Sequence, residues 1–168
     1  WKVLIVDDDH SIHDITKLAL KNLIVKNRPV AFTSVYSAKE ARELLERDNS
    51  FAVAIMDVVM ETGYAGLDLT EYVRRKLFTP YIRIIIRTGQ SAQAPEKYVI
   101  DNFDINDYKD KTELDAGKLY ASVKLAIIDY SDLLDANKEK EALYKQIIYH
   151  PLTKLYNRHK LDEDLQHM

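Results

Sequence analysis

The 168-residue chain carries 46% hydrophobic and 30% charged residues, enough apolar material for one full core plus an appendage. Its net charge of −3 gives no reason to expect nucleic acid or an anionic membrane surface as partner. No cysteine is present, which excludes disulfides and thiolate metal sites and suits a cytoplasmic setting, and no stretch approaches the roughly 18 apolar residues of a membrane span.

Lys2 to Val6 reads as a buried strand that ends at Asp7, Asp8 and Asp9. Ser11, with Asp14 three residues on, is placed to cap the next helix, whose inward face the spacing assigns to Ile12, Ile15, Ala19 and Leu23. His10 and His13 lack a third ligand and read as surface residues. Val30 to Val35 is a second strand, and Ser37 with Glu40 forms a capping box opening a helix to about Glu46. Phe51 to Met56 is wholly apolar and stops on Asp57, as expected of a strand covered on both faces. A loop from Val58 to Gly66 leads into a helix from about Leu67 to Leu77. The strand Ile82 to Ile86 runs on towards Thr88, and Pro95 suits the first position of a short helix. Asp104 to Tyr108 is a weak fifth strand, and the chain is helical from Thr112 to the edge of Pro151, with Thr112 and Asp115 as caps. Five strand–helix alternations predict an α/β fold: a doubly wound, five-stranded parallel sheet with a long C-terminal helix.

Open α/β sheets hold their reactive groups at the carboxyl ends of the strands. Asp7, Asp8, Asp57, Thr88 and Lys111 all fall there. Clustered carboxylates repel unless a cation sits among them, and an oxygen-only set suits Mg²⁺, with Mn²⁺ as an alternative. A carboxylate beside such an ion can attack phosphorus, a lysine can neutralise the charge that develops, and a hydroxyl can bond a phosphoryl oxygen.

These residues at these spacings resemble the receiver domain of two-component response regulators, over residues 2 to about 128. The resemblance implies a flavodoxin-like fold in which Asp57 is the phosphoacceptor, Asp8 a direct metal ligand and Asp7 a ligand through water. The main-chain carbonyl of Val59 would complete the metal shell, Thr88 and Lys111 would act on the phosphoryl group, and Tyr108 would switch inward together with Thr88. A histidine kinase or phosphotransfer protein would be the phosphate source. Two prolines usual in that family are replaced here, by Glu61 and by Thr112. A phosphatase of the haloacid-dehalogenase type fits the same opening, VLIVDDDHS, with Asp7 as nucleophile and Asp9 as acid. That family needs a further acidic pair at a later strand end, whereas Asp129, Asp132 and Asp135 fall in a helical stretch.

The final helix would extend on the order of 50 Å at 1.5 Å per residue. Beyond residue 128, Tyr130, Leu133, Asn137, Tyr144 and Ile147 repeat at coiled-coil spacing, interrupted by Lys140, which predicts a homodimerising linker over residues 129–149. Residues 150–168 resemble the start of a GGDEF diguanylate cyclase domain: Leu152, Thr153, Leu155, Asn157 and Arg158 match, and His150 replaces the usual aspartate. The chain therefore reads as part of a longer protein making cyclic di-GMP, with a cyclic di-GMP phosphodiesterase as the alternative output.

Overall fold

The computed structural model describes residues 1–90, 94–112 and 115–148; the GGDEF-like stretch at 150–168 lies outside them. Its elements are β1 (Lys2–Val6), α1 (His10–Leu20), β2 (Ile24–Val25), β3 (Arg28–Pro29), β4 (Ala31–Val35), α2 (Ala38–Arg47), β5 (Phe51–Met56), α3 (Ala65–Arg75), β6 (Arg83–Thr88), α4 (Glu96–Asn102), β7 (Asp107–Asp110) and α5 (Ala116–Ile148). Five strands form one sheet in the order β4-β1-β5-β6-β7, all neighbours parallel. This is the doubly wound architecture expected from the alternation of apolar strands and amphipathic helices.

Successive residues of a strand face opposite sides, and here both sides are covered. Leu4, Val6, Ala54, Met56, Ile84 and Ile86 pack with α2, α3 and α4 in one core. The alternate residues Val3, Ile5, Val53, Ile55 and Ile85 are equally buried, and α1 and α5 add Leu20, Leu119, Val123 and Ile127 to the buried set. The chain separates into two compact units after Ser131. In the second, Leu143, Tyr144 and Ile147 are exposed on the helix, and Asn137 donates to Glu141 at 3.0 Å. No described helix is long and apolar enough to cross a membrane.

Local chemistry differs from the sequence reading in several places. Asp9, not Ser11, caps α1, its carboxylate accepting from the Ser11 N–H at 2.8 Å. The buried face of α1 is His13, Thr16 and Leu20, while Ile15 is 40% exposed. His13 is thus a core residue, not a surface one. The hairpin β2–β3 was not anticipated; Lys26 and Asn27 both take positive φ at its turn, without the glycine that usually signals one. The fifth sheet strand begins at Asp107 instead of Asp104, because Asn106 occupies the entry, its side chain accepting from Ile84 N–H at 2.8 Å. Pro95 is the N-cap of α4, one position before the predicted one.

Ser37 caps α2 as expected, its Oγ accepting from Glu40 N–H at 3.1 Å, while Glu40 reaches one residue past the cap and accepts from Tyr36 N–H at 2.9 Å, so only the first half of a capping box is formed. Glu61, standing in place of a proline, accepts from Lys39 N–H at 3.2 Å and so ties the loop after β5 to the start of α2.

At the opposite edge of β1, Lys2 Nζ lies 2.7 Å from Asp48, whose pKa that lysine and Ser50 lower to about 2. A depressed carboxylate pKa contributes stability above the ordinary value of 3.8 that is lost as pH falls through about 2. Asp48→Asn is therefore expected to lower stability at neutral pH by less than about 1 kcal/mol, since the pair is solvent-screened. Urea midpoints measured across that acid window should depend less steeply on pH in the variant than in the native chain.

Candidate functional site

Strand register builds the site. Val6 pairs with Met56, so the next residues, Asp7 and Asp57, emerge side by side where β1 and β5 end. Met56 in turn pairs with Ile86, and Thr88 with Asp110, which brings Thr88 and Lys111 to the same rim. Backbone bonds extend the strands by one step: Asp57 N–H to Val6 C=O at 2.9 Å, Asp7 N–H to Val35 C=O at 3.3 Å, and Lys111 N–H to Thr88 C=O at 2.8 Å.

Asp7, Asp8, Asp57 and Lys111 come together here, with Thr88 at the adjoining strand end. Asp7 and Asp57 are buried, at 3% and 6% exposure, while Asp8 is exposed. One carboxylate oxygen from each of the three lies within 4.8 Å of the others. Lys111 Nζ bridges Asp7 Oδ2 and Asp57 Oδ2 at 2.7 Å each. The other oxygen of Asp7 accepts from Asp9 N–H at 3.0 Å, and Asp57 Oδ1 faces Val59 N–H at 3.4 Å. Thr88 is fully buried, its hydroxyl accepting from Gln90 N–H at 3.2 Å. Tyr108 is turned inward and donates to Ala94 C=O at 2.7 Å. The two side chains thus bond Gln90 and Ala94, respectively.

Burial raises the pKa of Asp7, opposed by its bonds to Lys111 and Asp9. Burial likewise works against the Lys111 ammonium, yet hydrogen bonds and charge from Asp57 and Asp7 outweigh it and hold its pKa above the ordinary lysine value. Burial also raises the Tyr108 phenol. The donor set fits a hard divalent cation: three converging carboxylates, with no histidine or cysteine in the group among the described residues.

Three residues of the site were not anticipated. Gly66, at the start of α3, donates to Val58 C=O at 3.0 Å, and a Cβ there would lie 1.8 Å from the Asp57 carbonyl oxygen. Arg87 is 4% exposed, bonded to Thr16 Oγ1 at 2.7 Å; burial lowers its pKa, opposed by the charges of Asp7 and Asp57. His13 sits 2.7 Å from the Asp7 carbonyl. A glycine at a helix start, a histidine on a helix and an arginine near a strand end carry no functional mark in a hydropathy pattern, so none of the three is found that way.

Residues 3–124 match the family model for the response regulator receiver domain. The chain is 45% identical over 143 residues to 3'3'-cGAMP-specific phosphodiesterase 2 of Vibrio cholerae serotype O1, a match covering 85% of this chain and 27% of that protein. It is 37% identical over 92 residues to regulatory protein VanR of Enterococcus faecium, covering 55% of this chain and 36% of that one. The chain thus spans roughly a quarter to a third of the length of these curated relatives. Among solved structures, a response regulator receiver domain protein from Clostridium thermocellum superposes with a TM-score of 0.64 at 23% identity, covering 79% of this chain and 98% of that one. A structure described as adenylate cyclase from Rhodopirellula baltica gives 0.67 at 21% identity, covering 84% and 96%. At such identities the structural likeness speaks for the fold, while the family model covers most of the chain. With the acidic cluster, the lysine bridge and the buried threonine assembled at the strand ends, the chain belongs to the response regulator receiver domain family.

Proposed function

We propose that Asp57 accepts a phosphoryl group from a histidine kinase or phosphotransfer protein and that this switches an output domain later in the same protein. The observation that carries the reading is Lys111 Nζ at 2.7 Å from both Asp57 and Asp7 inside a buried acidic cluster. An Asp57 oxygen attacks phosphorus, the bond from phosphorus to the donor atom breaks, and an aspartyl phosphate results. Lys111 stays in reach of the charge carried by the new group, and the Thr88 hydroxyl, which accepts from Gln90 N–H, has its own hydrogen to donate to a phosphoryl oxygen. Asp8 directly, Asp7 through water, Asp57 and the Val59 carbonyl are the proposed holders of Mg²⁺, which would supply charge neutralisation for the transferred group. A shift of Thr88 towards the phosphoryl group would be felt first at Gln90, whose N–H it accepts, while Tyr108 stays bonded to Ala94.

A cytoplasmic bacterial setting suits this family. We assign residues 1–128 to the receiver, 129–149 to a homodimerising linker and 150–168 to the start of the output domain. The exposed Leu143, Tyr144 and Ile147 support the pairing surface. Two outputs have a specific observation in their favour: LTKLYNR at 152–158 favours a diguanylate cyclase, and the 45% identical relative favours a cyclic-dinucleotide phosphodiesterase. Assay of the full-length protein with GTP and with cyclic dinucleotides distinguishes the two.

The test against the phosphatase reading is turnover. With p-nitrophenyl phosphate the chain is expected to release no phosphate beyond a single equivalent. Steady release that is abolished by Asp7→Asn and indifferent to Asp57→Asn would overturn the receiver assignment.

A further inference from the structure

We propose that His13 is a positioning residue for the acidic turn, holding the Asp7–Asp8 peptide in the orientation that aims Asp8 at the metal site. The proposal rests on the Mg²⁺ reading above and extends it to a residue outside the ligand set. His13 is 1% exposed, and its Nε2 lies 2.7 Å from the carbonyl oxygen of Asp7. A carbonyl can only accept, so Nε2 carries the proton and donates. That carbonyl and the N–H of Asp8 share one rigid peptide plane. Fixing the oxygen therefore fixes the direction in which the chain leaves the strand and presents the Asp8 side chain.

The ring is itself held. It packs against Tyr36 at a centroid distance of 4.5 Å, and Tyr36 stacks on His10 at 4.1 Å. Tyr36 directly follows Val35, whose carbonyl accepts from Asp7 N–H at 3.3 Å. The N–H and the carbonyl of Asp7, in consecutive peptide units, are thus both held by adjoining parts of one small cluster. Nδ1 of His13 is buried with no partner among the described residues. A histidine kept in a core with one nitrogen unsatisfied carries a burial cost that leucine would not. The bond to the Asp7 carbonyl is what it provides in return. Leu20, two turns later on the same buried face, lies at the other end of α1 from the acidic turn.

The experiment is calorimetric titration with Mg²⁺ of the native chain and of His13→Phe, His13→Gln and Leu20→Val, with the urea midpoint of each. Outer partners of metal ligands typically govern affinity by tenfold or more, so His13→Phe is expected to weaken Mg²⁺ binding about 10-fold. His13→Gln, which keeps a donor near the Nε2 position, should stay within about threefold of native on the same grounds. Leu20→Val should lower the urea midpoint and leave the affinity unchanged. Unchanged affinity in His13→Phe, or equal weakening in Leu20→Val, overturns the proposal. If His13→Phe does not fold, His13→Met takes its place in the comparison.

A metal-independent readout separates this inference from the reading it rests on. Asp9 N–H donates to Asp7 Oδ1 at 3.0 Å, and its hydrogen exchange should quicken in His13→Phe but not in His13→Gln. A native chain that binds no Mg²⁺ would sink the Mg²⁺ reading; positioning by His13 would then stand or fall on that exchange rate alone.

Discussion

Gly66→Ala is expected to destabilise the chain by about 3 kcal/mol or more, the upper part of the range for forced overpacking. The added Cβ would stand 1.8 Å from the Asp57 carbonyl oxygen, 2.8 Å from its carbonyl carbon and 3.1 Å from Val58 Cα. All three are backbone atoms at the end of a central strand, so no rotamer change relieves the clash. Either α3 moves away from β5, breaking the Gly66 N–H bond to Val58, or the Asp57 peptide rotates and takes the carboxylate with it. A urea titration followed by circular dichroism measures the loss. A variant as stable as native would show that α3 does not pack on the Asp57 peptide this closely.

Lys111→Met is expected to cost about 3 kcal/mol in the presence of EDTA, because removing one partner of a buried ion pair leaves the other charge uncompensated. Here the remaining charges are two buried carboxylates, each 2.7 Å from the departed ammonium, with Asp8 beside them. Arg87 is the other cation within electrostatic reach of Asp7 and Asp57, and it donates to Thr16 on α1. Mg²⁺ would replace the missing positive charge, so its stabilising effect should be larger in the variant than in the native chain. Urea midpoints with EDTA and with Mg²⁺ test this. An equal loss under both conditions would mean that Lys111 contributes through packing and not through charge at the acidic cluster.

The central strands and the acidic cluster were legible because burial on both faces demands apolar runs, and β1 and β5 supply them up to Asp7 and Asp57, while in β6 three isoleucines lead towards Thr88 with Arg87 between. Parallel register then places the strand ends together, so a reading of strand ends is a reading of the site. What escaped was polar chemistry working inside the core. The α1 face was assigned to Ile12, Ile15 and Ala19 by apolar spacing, but hydrogen bonds let His13 and Thr16 take the buried side. Hydropathy counts such residues as outward because it cannot see the partner. The cap of α1 was misplaced for a related reason: Asp7, Asp8, Asp9 and Ser11 are all capable of capping, and only the geometry selects Asp9. The hairpin β2–β3 was missed because two-residue strands show no periodicity. The need for glycine at residue 66 arises from the approach of α3 to β5, a tertiary contact with no local signature.

That Asp57 is the Mg²⁺-dependent phosphoacceptor is tested most directly by intact-mass measurement after incubation with acetyl phosphate. The native chain should gain the mass of one phosphoryl group when Mg²⁺ is present and none when it is chelated, and Asp57→Asn should gain none in either case. Labelling that survives Asp57→Asn, or that proceeds equally in EDTA, would contradict it.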